Sequence, residues 1–248
     1  MKTFTNPSFK EVVNRCKRRN NEAMEKLFWF SSKISIHFSY LLIRLGVSAD
    51  QATILFFLVG LTGSFMYIFE SPLLTFLGYV FWRLHVIIDM SDGDLARFNQ
   101  SFSIRGAYWD AVIHSILNPL YYVFISYSFY LQFNDNIFLI LGALSGLSSS
   151  VLMAAKNNYF KAMLFNKKTL KVEKNNHLKV KNIKYYIKFI LSEILSIEGF
   201  VLLTVLVRLI DIELLAFILV FAYLGFNILI GAVKFYQFSY KGSAFSKH

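Results

Sequence analysis

Cysteine is almost absent from this 248-residue chain. Cys16 stands alone, which excludes an internal disulfide framework and leaves no cysteine ligand set for zinc. No cleavable signal peptide is expected either, because the first 27 residues are polar and basic where a leader needs an apolar core. Acidic charge is scarce, with 15 Asp and Glu against 26 Lys and Arg. The net charge of +11 would suit nucleic acid, but no polar stretch is long enough to fold as the soluble domain that such binding needs. The one sizeable polar stretch, 156–186, reads as a helix extension followed by a basic loop.

Apolar residues fill the space instead: 56% of the chain is hydrophobic, 18% is aromatic, and the mean hydropathy is +0.48, beyond the average soluble domain. Runs close to the roughly 20 residues that cross about 30 Å of hydrocarbon fall at 51–69, 73–94, 107–131, 137–155, 187–210 and 212–235. Six transmembrane helices in an all-α integral membrane bundle are predicted, since only helices satisfy their own backbone in such segments. Apart from Arg83 and Arg208, every basic residue lies before residue 51, in the link holding Arg97 and Arg105, between Lys156 and Lys188, or after residue 233. The links "ESP", "QFNDN" and "IDIE" carry only acidic charge. The positive-inside rule therefore puts both termini and the links after the second and fourth spans in the cytoplasm. A bacterial inner membrane is the expected location, with the basic residues toward anionic headgroups. Ahead of the first span, "EKLFWFSSKISIHFSYLLIRLG" mixes apolar residues with Lys26, Lys33, His37 and Arg44 and reads as an amphipathic helix in the cytoplasmic interface. The expected layout is a cytoplasmic segment over 1–50, a catalytic body over 51–238 and a tail over 239–248.

Ionisable residues inside this apolar pattern are concentrated in one place. Four of the seven aspartates, Asp89, Asp92, Asp94 and Asp110, fall within 22 residues, and His114 follows. On a helix of 3.6 residues per turn, Asp89, Asp92 and Ala96 share a face, His85 lies one turn deeper, and Asp94 points away. Gly106, Asp110 and His114 form a stripe on the next helix. The short link makes the two helices antiparallel neighbours, so Asp110 can face Asp89 and Asp92. An ionised carboxylate in a spanning helix costs about 2.5–3.5 kcal/mol even on the lenient insertion scale, so three facing each other call for a cation. Oxygen ligands open to water suit Mg²⁺ or Mn²⁺. Two such ions sharing carboxylates are the usual arrangement for displacement at phosphorus. The alternative is a charge network that only fixes helix register.

The run Asp89-x2-Asp92-Gly93-x2-Ala96-Arg97-x8-Gly106-x3-Asp110-x3-His114 resembles the signature of the CDP-alcohol phosphotransferases, D-x2-D-G-x2-A-R-x8-G-x3-D-x3-D. Seven of the eight fixed positions match with spacing intact, and "VSADQAT" before the first span is similar to the family's P-N-x-x-T start. The resemblance implies a membrane enzyme that moves a substituted phosphoryl group from a CDP-linked donor to a hydroxyl acceptor and releases CMP. It implies two divalent cations, Mg²⁺ or Mn²⁺, with Asp89, Asp92 and Asp110 as ligands. Gly93, Ala96 and Gly106 would let the nucleotide approach the helix backbones, Arg97 would meet a phosphate or the acidic residues around the metal site, and the chain would form a homodimer.

His114 is the departure, standing where the family has a fourth aspartate. An imidazole can serve as general base, with an ordinary pKa of about 6.5, or as a metal ligand, but it cannot supply the negative charge. A packed histidine in an inactive site is the remaining alternative. Weaker signals are His85, in line with Asp89 as a hydrogen-bond partner behind the ligands, Glu193 and Glu198 toward the bundle interior, and Lys156 and Lys161 as sites for an acceptor phosphate. The acceptor reads as a lipid or small alcohol, with a sugar or polyprenyl-linked glycan as alternative. The rival of another class is a cation or proton-coupled transporter, which would favour charges at the midplane and an inverted repeat. No second copy of the motif is present.

Overall fold

In a computed structural model of the chain, the residues described are 7–16, 29–165, 197–210 and 212–244. They form eight helices and, among the described residues, no strand, as the all-α expectation requires. In chain order these are α1 (Phe9–Arg15), α2 (Trp29–Arg44), α3 (Ala49–Met66), α4 (Pro72–Asn99), α5 (Ile104–Phe133), α6 (Ile137–Phe165), α7 (Ile197–Ile210) and α8 (Glu213–Ala244).

Four helices are long and apolar enough to cross a membrane: α3, α4, α6 over Ile137–Asn158 and α8 over Glu213–Gln237. The chain is a membrane protein on that ground. Two of the six predicted spans are not among them. Helix α5 has the length, at 30 residues, but Asp110, His114, Asn118, Pro119 and several tyrosines dilute its hydropathy. Of the span predicted over 187–210, only 197–210 is described, and Glu193 and the basic loop over 166–186 likewise lie outside the described residues. Helix α8 continues to Ala244, beyond the predicted boundary at 238.

The chain divides into two compact units, Met1–Leu117 and Asn118–His248. In the first, α3 and α4 pack closely. Helix α3 starts on a reciprocal cap: the Ser48 side chain accepts the Gln51 N–H at 3.2 Å and the Gln51 side chain accepts the Ser48 N–H at 2.9 Å. Helix α4 starts on Ser71 and Pro72 and stops at Gln100, whose left-handed φ of 53° turns the chain so that the Ser101 N–H reaches Ala96 O at 2.9 Å. Ser103 then accepts the Gly106 N–H at 2.8 Å and opens α5. Four residues separate α4 from α5, a link short enough to force antiparallel neighbours.

Helix α2 has a buried face that carries Ser31, Ser35, Ser39 and Leu42, while Ile34 and Leu41 are exposed. Small hydroxyl residues let helices approach closely and bond across the gap, and α2 uses them against α4. Ser91 Oγ donates to Ser35 O at 3.1 Å, and Ser39 Oγ donates to Asp94 Oδ2 at 2.9 Å. From α1, Cys16 Sγ lies 3.4 Å from Asp94 O as donor, and Arg15 stands over the Phe98 ring.

In the second unit, α6 and α8 pack together, with Ser145 Oγ donating to Leu224 O at 3.2 Å, and Asn227 Nδ2 of α8 donates to Tyr122 Oη of α5 at 2.7 Å. Arg208 of α7, which the charge pattern put away from the basic face, is taken up by Gln132 Oε1 and Ser128 Oγ, each 2.6 Å away, over the Phe129 ring. A cation inside an apolar unit needs such acceptors.

Candidate functional site

Helix rise sets the depth of each acidic residue. At 1.5 Å per residue, Asp89 lies about 15 Å back from the end of α4, and His114 about 15 Å into α5. Asp92 and Asp110 lie about 10 Å from the same ends. Antiparallel packing across a four-residue link therefore brings His114 level with Asp89 and Asp110 level with Asp92. The observed contacts follow: His114 Nε2 is 3.4 Å from Asp89 Oδ1 and 3.3 Å from Asp110 Oδ1.

Asp89, Asp110 and His114 place one ligand atom each within 4.8 Å of one another. Neighbouring ligands of an octahedral ion at about 2.1 Å lie about 3.0 Å apart and opposite ones about 4.2 Å apart, so the three atoms fit around a single small cation. All three side chains are reached by solvent, Asp110 at 49% exposure and the other two at about half that. Two carboxylates and one imidazole can hold a divalent cation, accept a proton, or do both in succession.

Asp92 is not one of the three. Its Oδ2 accepts from Thr53 Oγ1 of α3 at 3.0 Å, and the same hydroxyl is 3.0 Å from Ala49 O. Asp92 lines a cavity of about 200 Å³ together with Thr53, Gly93, Ala96, Gly106 and Asp110. The three small residues expected to admit a nucleotide thus share one cavity wall with two of the carboxylates. A second cavity of about 220 Å³ shares Asp50, Thr53 and Gly106 with the first and, apart from Arg105, is otherwise apolar, lined by Ile54, Phe57, Trp109 and Ile113 among others.

Arg97 is paired with an acidic neighbour on its own helix. Its Nη2 bonds Asp94 Oδ1 at 2.6 Å, and its guanidinium lies along Gly93, where a β-carbon would stand 3.4 Å from Nη2. His85 sits behind the site, almost fully buried at 1% exposure, with Nδ1 donating to Phe56 O at 3.2 Å. Its ring centroid is 5.9 Å from that of His114, and Phe56 packs against both rings. The close approach relies on Gly60, where a β-carbon would stand 2.6 Å from Leu117 Cδ1 and 3.0 Å from His85 Nδ1. Lys156 is exposed on α6 and Glu198 is partly buried at the start of α7, both in the second unit. Residue-by-residue reading missed the partners Thr53, Ser39 and Asp94. Thr53 left a signal as the last residue of "VSADQAT" and Asp94 by standing three residues before Arg97, whereas Ser39 left none.

No protein-family model matches the chain, and no curated protein matches it. The likeness to the CDP-alcohol phosphotransferases accordingly rests on the quoted residues and their spacing.

Proposed function

We propose that this chain is a metal-dependent membrane phosphotransferase that moves a substituted phosphoryl group from a CDP-linked donor to a hydroxyl acceptor and releases CMP. The observation that carries the reading is the convergence of Asp89, Asp110 and His114 beside a cavity walled by Asp92, Gly93, Ala96 and Gly106. Asp89, Asp92 and Asp110 would hold two divalent cations, Mg²⁺ or Mn²⁺, which when bound neutralise the donor diphosphate and the leaving nucleotide. Gly93 and Gly106 present backbone to the nucleotide without side-chain bulk. His114 Nε2, facing both carboxylates, takes the proton of the acceptor hydroxyl as that oxygen bonds to phosphorus and CMP departs. Were the same nitrogen the third ligand to a cation, its lone pair could not take that proton, so the two roles exclude each other.

The acceptor is an amphiphile: the apolar cavity adjoins the acidic one at Thr53 and Gly106 and offers an apolar chain a place while a hydroxyl reaches the carboxylates. A glycerolipid or small lipid alcohol suits this better than a free sugar. Six spans, read from the apolar runs, complete the reading, with both termini and the acidic cavity toward the cytoplasm of a bacterial inner membrane on the distribution of basic residues and a homodimer on the family resemblance alone.

The test is release of CMP from a panel of CDP-linked donors by the purified protein, with and without Mg²⁺. Metal-dependent release with one donor is expected. Cation movement across proteoliposomes without CMP release from any donor would replace the enzyme reading by that of a transporter.

A further inference from the structure

Asp94 has no part in the proposed chemistry, yet it is the most deeply buried of the four clustered aspartates, at 0% exposure. We infer that Asp94 and Ser39 are positioning residues, which hold the Arg97 guanidinium against Gly93 at the edge of the Asp92 cavity and so make helix α2 part of the device that binds an anionic phosphate there. The inference rests on the reading above only in assigning that phosphate to a CDP-linked donor.

An Asp–Arg pair three residues apart on a helix is ordinarily a surface feature worth a few tenths of a kcal/mol. Here the carboxylate is removed from water altogether, which is costly unless both oxygens find partners. Both do: Oδ1 accepts from Arg97 Nη2 at 2.6 Å and Oδ2 from Ser39 Oγ at 2.9 Å, a hydroxyl whose one proton is shared with Ser35 O at 2.7 Å in its own helix. Ser39 is itself fully buried, and the neighbouring bonds from Ser91 to Ser35 O and from Cys16 to Asp94 O fix the same stretch of α4 against α2 and α1. Arg97 stays 30% exposed. A free arginine of this exposure would sample many rotamers, and ordering it on a ligand costs entropy. With Nη2 committed to Asp94, that cost is met in the folded protein and Nη1 is left beside Gly93, which lines the cavity. A role limited to helix register would be filled as well by apolar residues of similar size. Ser39 reaches the guanidinium only through Asp94, whose two oxygens link them.

The experiment is calorimetric titration of the full chain in detergent with cytidine diphosphate in saturating Mn²⁺, using Ser39→Ala, Arg97→Gln, the double variant and Asp94→Asn. Ser39→Ala keeps the Asp94 charge and is expected to raise the Kd about fivefold, the scale of one such hydrogen bond. Arg97→Gln should raise it about 10- to 100-fold, and the double variant should bind no more weakly than Arg97→Gln alone. Mn²⁺ affinity without nucleotide should be the same in all four. Additive effects of Ser39→Ala and Arg97→Gln, or a loss of Mn²⁺ affinity in step, would make α2 merely structural and overturn the inference. Tighter binding by Asp94→Asn would also overturn it, because Asp94 would then only offset the Arg97 charge. If the unaltered chain binds no cytidine diphosphate, the donor reading fails by itself. Inorganic pyrophosphate titrated into the same variants then decides the positioning role by the same non-additivity.

Discussion

Replacing Asp110 by Asn changes neither volume nor shape and removes one carboxylate from the three groups that converge within 4.8 Å. A cation that binds only the folded state stabilises it by RT ln(1 + [M]/Kd), about 2.7 kcal/mol at a hundredfold excess over Kd. Loss of one charged ligand that weakens binding about a hundredfold brings the same concentration down to Kd, where the gain is about 0.4 kcal/mol. The difference, about 2.3 kcal/mol, corresponds to a Tm shift of roughly 5–9 °C for a chain of this size. The assay is thermal unfolding of the detergent-solubilised chain with and without Mn²⁺, alongside CMP release. The unaltered chain should gain several degrees with metal, Asp110→Asn almost none, and its turnover should fall below about a tenth. A register-fixing charge network gives a different result, because Asp110→Asn would then lower Tm by the same amount with and without metal. An equal metal-induced gain in both proteins, or none in the unaltered chain, refutes the metal assignment.

His114→Ala should lower turnover about 10²- to 10⁴-fold, the scale of a positioned base. If the metal-induced rise in Tm survives in that variant, His114 acts as base; if it is lost and His114→Asp restores it, His114 is a ligand. Thr53→Val removes the hydroxyl that meets Asp92 Oδ2 at 3.0 Å. A hydrogen bond to a charged group contributes about 1.5–3 kcal/mol, so a kcat loss of about 10- to 150-fold is expected, with Thr53→Ser near normal; equal activity of Thr53→Val and the unaltered chain would remove Asp92 from the site. Lys156 is exposed near the end of α6, and Lys156→Cys in a Cys16→Ser background should react with an impermeant thiol reagent only from the cytoplasmic side. Labelling from outside would reverse the topology.

Before any coordinates, the sequence determined that the chain is helical and lies in a membrane, because runs of apolar residues admit no other backbone that satisfies itself in lipid. It also determined which helix faces carry the acidic residues. The 3.6-residue period put Asp89 with Asp92 and Asp110 with His114, and the four-residue link between α4 and α5 brought the pairs level. These are local properties, set by spacing along one or two consecutive helices. Contacts between residues distant in sequence were decided by the tertiary structure. Thr53 meets Asp92 across 39 residues and Ser39 meets Asp94 across 55. Neither pair could be read from periodicity, because the rotation of one helix against another depends on which side chains let the backbones approach. In α2 the determining side chains are serines, which hydropathy ranks as solvent-facing and which pack against α4 instead. Arg97 differs: its partner Asp94 lies three residues away on the same helix, within the helical period, and what the tertiary structure decided is the burial of that carboxylate against Ser39.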